Sequence, residues 1–234
     1  MQVFRSIVFS AVLAGLMVGA VVSACQFFTT VPLIQKSEVY EKAAAHVQHQ
    51  HTGAGSDAAH HHEAEWEPEE GFQRNALTVG ANILTAIGFA LILAGIYAIR
   101  QRPVSWREGL FWGLGGFVVF VAAPGLGLPP ELPGLPVADL TARQLWWIFA
   151  AGSTAAALYL LAFRREAWAA VLGLALFALP HLVGAPVAPE GHSEVPASLS
   201  HQFVVAVALT GLLFWSLLGV TTGWLYGKIS ERER

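Results

Sequence analysis

The sequence predicts an all-α polytopic membrane protein: six transmembrane helices, with a long histidine-rich outer loop between the first two. Three observations carry that prediction. Of 234 residues, 55% are hydrophobic and only 12% charged, whereas soluble domains average about 25% charged. Six segments contain no Asp, Glu, Lys or Arg and reach the roughly 20 residues needed to cross a bilayer as helices. The third observation is a single long polar stretch, residues 36–71, set in an otherwise apolar chain. The chain is read as one integral membrane domain over residues 1–234.

The spans fall at about residues 6–30, 75–99, 109–128, 144–163, 167–185 and 202–227. Six crossings put both termini on one side. That side collects Arg5, Arg100, Arg102, Arg107, Arg164, Arg165, Lys228, Arg232 and Arg234, against Lys36, Lys42, Arg74 and Arg143 opposite. An excess of basic residues marks the cytoplasmic face. Both termini are therefore expected inside and the histidine-rich loop outside. Acids run the other way: only Glu108, Glu166, Glu231 and Glu233 lie inside. The outer face is built to attract cations.

The first span begins behind Arg5, and Val22-Ser23-Ala24-Cys25 resembles a lipoprotein cleavage box. The apolar run from Ile7 to Cys25 exceeds the usual signal core of about 7–15 residues and continues through Phe27, Phe28 and Val31. A retained helix is the better reading. Ala11, Gly15 and Gly19 recur every four residues, a small-residue stripe that lets a second helix approach. Pro32 is expected to end this helix, with a short amphipathic helix starting near residues 37–41.

The second span carries Asn75 and Asn82, seven apart and so on one face, where amides either tie helices together or line a polar path. Gln26 at the end of the first span is the matching polar group. The third span is rich in glycine (Gly109, Gly113, Gly115, Gly116) and runs into a proline-rich outer hairpin bearing Glu131 and Asp139. Arg143, Trp146 and Trp147 open the fourth span at the outer interface, and Arg164-Arg165 closes it. The fifth span ends at Pro180-His181, and His201-Gln202 opens the sixth.

Six of nine histidines lie in the 36–71 stretch: His46, His49, His51, His60, His61 and His62. Eight of sixteen acids, including Glu38 and Glu41, accompany them. Imidazole and carboxylate suit borderline divalent ions such as Co²⁺, Ni²⁺ or Zn²⁺. The stretch is read as a capture loop. A narrower site is expected downstream from His181, His201, Glu131, Glu38 and Asp139, with Asn75, Asn82 and Gln26 as a polar path inward. His181 is singled out because ionisable groups within a membrane helix are costly and are kept for function.

Several classes are excluded. The single cysteine, Cys25, rules out an intrachain disulfide and any thiolate cluster. His62-Glu63-Ala64-Glu65-Trp66 fails the metalloprotease pattern, which needs histidine where Trp66 stands. One intramembrane histidine falls short of bis-histidine haem ligation. No phosphate-binding Gly-x-x-x-x-Gly-Lys-Ser/Thr motif is present, so the chain lacks an ATPase of its own. No enzyme activity, tightly bound cofactor or nucleic-acid partner is expected.

Several stretches resemble the CbtA-type predicted cobalt transporter subunit family. They are Ser37-Glu38-Val39-Tyr40-Glu41, Trp66-Glu67-Pro68-Glu69-Glu70-Gly71, Gly127-Leu128-Pro129-Pro130-Glu131-Leu132-Pro133-Gly134, Arg143-Gln144-Leu145-Trp146-Trp147 and Leu179-Pro180-His181-Leu182-Val183-Gly184-Ala185-Pro186. The resemblance implies a bacterial inner-membrane protein of cobalt uptake for cobalamin biosynthesis. It also implies a small, single-span, histidine-rich companion subunit, and five spans rather than six. The leading expectation is thus a divalent-metal uptake component that meets the ion outside and passes it inward. The alternative is a non-transporting assembly or metal-buffering partner of a larger complex.

Overall fold

The structure, a computed structural model, describes residues 2–51, 71–191 and 193–232, and the side chains of all of these except 44–51 and 232. All regular structure among the described residues is helical. Helix α1 (Gln2–Phe28) runs antiparallel to α3 (Phe72–Arg100), with the small-residue stripe as the seam. A Cβ on Gly15 would lie 2.3 Å from the Ile87 side chain, and one on Gly19 2.6 Å from the Ile83 Cα. Ala11 and Ala14 are fully buried beside them. The expected close approach is present, and α3 is the helix that makes it. Ser10 and Ser23 donate to carbonyls one turn back at 2.6 and 2.7 Å, which satisfies their hydroxyls within an apolar helix.

Pro32 does not end the first helix. The break comes at Thr29, whose N–H reaches back to Gln26 O at 3.2 Å, and α2 (Thr30–His51) starts at once. Pro32 is third in α2, inside the first turn, where its missing N–H would have no helical partner anyway. The expected loop from residue 36 is likewise helical as far as His51. Its start is pinned by tertiary contacts: fully buried Ser37 donates to Pro133 O at 2.6 Å. Arg74 donates to both carboxylate oxygens of Glu38. The remainder, residues 52–70, with His60, His61, His62 and Trp66, lies outside the described residues.

The third expected span is one rod built of α4 (Trp106–Phe117), a π-helical turn (Val118–Ala122) and α5 (Ala123–Gly127). Pro124 explains the π turn. Its ring would clash with the carbonyl one α-turn back, and widening the preceding turn, with Ala123 N–H bonded to Val118 O, relieves the clash. α4 starts on a reciprocal cap in which Ser105 and Glu108 each accept the other's backbone N–H. Its glycines meet those of α8 (Ala197–Arg232) almost backbone to backbone. A Cβ on Gly113 would lie 2.2 Å from Trp215 O, and one on Gly219 2.2 Å from Gly109 O.

α6 (Leu140–Phe163) runs opposite to α4: Phe120 stacks near Trp147 at 6.0 Å and Trp112 near Phe163 at 6.0 Å. α7 (Ala167–Val183) then returns along α6, from Gly173 beside Leu161 to Pro180 beside Trp146. The core between α1, α3, α4 and α8 holds Val18, Leu93, Tyr97, Trp215 and Leu218, with Phe89 and Phe120 packed on Trp215.

Among the described residues, five helical stretches are long and apolar enough to cross a membrane: Gln2–Phe28, Phe72–Arg100, Trp106–Gly127, Leu140–Phe163 and Ala197–Glu231. The fifth expected span differs. α7 stops at Val183 and is 17 residues long, about 25 Å against a hydrocarbon core of about 30 Å. Gly184, with φ of 87°, ends it, a conformation that glycine adopts without strain. The antiparallel pairings give the bundle two ends. The terminal end holds Gln2, the 101–105 turn, Phe163 and Tyr226; the distal end holds Thr29, Gly127, Trp146, His181 and His201.

Candidate functional site

Every described residue in the expected narrow set lies at the distal end, but not in one cluster. Asp139 is the N-cap of α6: its carboxylate accepts Ala142 N–H at 2.9 Å. Glu131, in the proline-rich turn, pairs with Arg143 in the first turn of α6 at 2.7 Å. Glu38 faces Arg74, and that hydrogen-bonded guanidinium holds its carboxyl below the usual range, burial notwithstanding. These three carboxylates already serve as helix cap, hairpin clasp and α2–α3 clasp.

The polar path is also partly committed. Asn82 donates to Gln26 Oε1 at 2.7 Å and to Ser23 Oγ at 3.0 Å, tying α3 to α1. Asn75 is exposed in the first turn of α3 and does not share this network. Of the two functions open to these amides, Asn82 and Gln26 perform the first: they join helices.

His181 is different. Trp146 donates its indole N–H to Pro180 O at 3.3 Å, which fixes the last turn of α7 against α6. Gly127 lets the end of α5 rest on the same indole; a Cβ there would lie 2.2 Å from the ring. His181 follows Pro180 and is flanked by Trp146 at 6.1 Å and Phe177 at 6.2 Å between ring centroids. Its Nε2 is buried and has no hydrogen-bond partner among the described residues. Such a nitrogen is costly to leave bare and is chemically a metal ligand or proton acceptor. Sequence reasoning marked His181 but missed Trp146 as the group that positions it; the only signal was an indole N–H in a helix that needs an acceptor.

His201 is exposed and lines a groove of about 500 Å³ between the end of α1 and the start of α8. Cys25, Thr29, Gln202 and Thr210 share the lining with aliphatic residues. Thiol and imidazole lining one groove, from α1 and α8, are apt for borderline metals. Cys25 was not foreseen as a wall residue, although its spacing of four from Thr29 puts the two on one helical face. Among the described residues, no three His, Cys, Asp or Glu side chains come close enough to hold one ion. The side chains of His46, His49 and His51, and the whole of His60, His61, His62 and His192, lie outside the described residues.

A family model described as "Probable cobalt transporter subunit (CbtA)" matches residues 4–227. No curated protein and no solved structure matches the chain.

Proposed function

Because the chain belongs to the CbtA family of probable cobalt transporter subunits, we propose that it is the membrane component of a divalent-metal uptake system, with Co²⁺ as cargo. In this reading the distal end faces outward and the arginine-rich terminal end faces the cytoplasm of a bacterial inner membrane. α7 makes the sixth crossing, its short length offset by the loop beyond Gly184. The histidines of residues 46–62 concentrate the ion, and His181 and His201 receive it at the bundle. The single observation that carries the reading is the buried, unpartnered Nε2 of His181. That nitrogen, on a turn fixed by the bond from Trp146 to Pro180, is a ligand atom without a hydrogen-bond partner among the described residues.

The carboxylates Glu38, Glu131 and Asp139 join only if an arriving cation displaces their present partners. Asn75 stands at the entrance, and Asn82 and Gln26 pass the ion only by exchanging their mutual hydrogen bond. The chain performs no catalysis and keeps no resident cofactor in this reading. A negative interior favours entry of a divalent ion by about 4.6 kcal/mol per 100 mV, twice the value per charge. None of the six spans, as bounded from the sequence, contains a carboxylate, so drive by potential suits the chain better than a proton relay. A small histidine-rich companion subunit completes the system.

One observation favours the second reading, a non-transporting assembly or metal-buffering partner: the described ligands do not gather around one point. Uptake of radioactive Co²⁺ into proteoliposomes separates the two. Transport predicts accumulation that stops when the potential is collapsed but persists under a pH clamp. It also predicts at least tenfold loss in His181→Ala, and an unchanged maximal rate with a several-fold higher half-saturating concentration on deletion of residues 45–64. Equal uptake by wild type, His181→Ala and empty vesicles would leave the binding-only reading.

A further inference from the structure

A second cavity, of about 130 Å³, lies at the terminal end, remote from His181 and His201. Its wall is made by the last turn of α3, the 101–104 turn and the last turns of α8, with Tyr97, Gln101, Arg102, Val104, Ser230 and Glu231 among the lining residues. At about 30 Å³ per molecule it has room for roughly four waters or a group of similar bulk.

Three features mark it as more than a packing gap. Tyr97 is fully buried, yet its hydroxyl has no hydrogen-bond partner among the described residues. Trp112 at 6.4 Å and Tyr226 at 5.8 Å confine its ring. Gln101, in the wall, has φ of 51°, the one positive value of a non-glycine among the described residues. It is the C-cap of α3, its N–H bonded to Ala98 O, and the left-handed turn there carries the chain off the helix to form the cavity wall. Gly227 brings α8 onto the turn: a Cβ there would lie 2.5 Å from Val104 O.

Charge selects the occupant. Arg102 and Glu231 are both exposed and line the same cavity, one cationic and one anionic. A bare metal cation would face the guanidinium, and a bare phosphate would face the carboxylate. A group carrying both charges satisfies both. Depth points the same way. Trp106, half-exposed with the Arg107 guanidinium 5.3 Å from its ring centre, begins α4 at this end, and amphipathic tryptophans sit at headgroup level.

We infer that this cavity binds the phosphoethanolamine headgroup of a zwitterionic phospholipid. Arg102 takes the phosphate, Glu231 takes the ammonium, and the Tyr97 and Ser230 hydroxyls and the Gln101 amide donate to phosphate oxygens. The inference stands apart from metal transport and needs no ion.

Native mass spectrometry of the full chain in detergent tests it, with phosphatidylethanolamine, phosphatidylglycerol, ethanolamine phosphate and inorganic phosphate as probes. One phosphatidylethanolamine should be retained at least tenfold more tightly than phosphatidylglycerol. Arg102→Ala should release both lipids, and Glu231→Gln should erase the preference between them. Tyr97→Phe should weaken retention several-fold without lowering the melting temperature, since it removes only an unpaired hydroxyl. Equal retention of the two lipids, inorganic phosphate binding as tightly as the lipid, or variants that bind like wild type would each overturn the inference. A variant failing to fold is set aside by its circular dichroism, and Tyr97→Phe then decides.

Discussion

At the scale of single residues, the distal end is governed by which charges already have partners. Glu38 and Arg74 are 36 positions apart, and their two-pronged pair closes α2 onto the start of α3. Both side chains are about a quarter exposed, so the pair contributes about 1–2 kcal/mol, toward the lower end for a charged hydrogen bond. The Glu38 carboxyl titrates below its ordinary 4.5 in the folded protein, mainly through the Arg74 hydrogen bond. A depressed folded value means the stabilisation is complete above about pH 4.5 and is lost as pH falls through the folded value. Glu38→Gln should therefore release α2 at neutral pH, seen as several-fold faster tryptic cleavage at Lys42. Wild type should show the same opening only below about pH 4.5, followed with an acid-active protease. The exchanged pair Glu38→Arg with Arg74→Glu should restore protection at neutral pH; if it does not, the clasp is not ionic.

At the scale of elements, the α4–α8 seam is the sharpest dependence on sequence. Gly113 and Gly219 admit no Cβ because a carbonyl oxygen lies 2.2 Å from where it would sit, while Gly115 faces open space. Gly113→Ala should lower the melting temperature in detergent by several degrees, a cost of about 2–3 kcal/mol from forced separation of the helices. Gly115→Ala should be neutral or raise it, since alanine favours helix by about 1 kcal/mol over glycine. Equal effects at the two positions would refute the seam. Most of the helices were legible because absence of charge over about 20 residues is a strong signal. The Ala11-Gly15-Gly19 stripe was legible too, through its period. Pro32 misled because a proline's meaning depends on whether it falls in the first turn or later, which spacing alone does not reveal. The π turn before Pro124 and the indole bond to Pro180 are tertiary solutions to missing backbone donors, and composition carries no trace of them. For the candidate site, the shared end of the bundle was legible and the partners were not: arginines at 74 and 143 occupy carboxylates that composition presents as open ligands.

At the scale of the whole molecule, everything functional depends on which end faces out and on whether α7 crosses. Its 17 residues lie alongside α6: Trp146 bonds Pro180 near one end, and Leu161 packs on Gly173 near the middle. On the proposed reading, α7, packed along that longer apolar neighbour, crosses the same slab, with local thinning at a modest cost. In a Cys25→Ser background, Arg164→Cys before α7 and Gly191→Cys after it should react with a membrane-impermeant maleimide from opposite sides. Gly191→Cys should label in spheroplasts of intact cells, and Arg164→Cys only after permeabilisation. Tags at the two termini should both be inaccessible from outside. Labelling of both cysteines from one side would reduce the crossings to five and put the termini on opposite faces. Reversed labelling would keep six crossings but turn the histidines toward the cytoplasm. Capture from outside would then fail, and the same ligands would hold metal on its way out or in store.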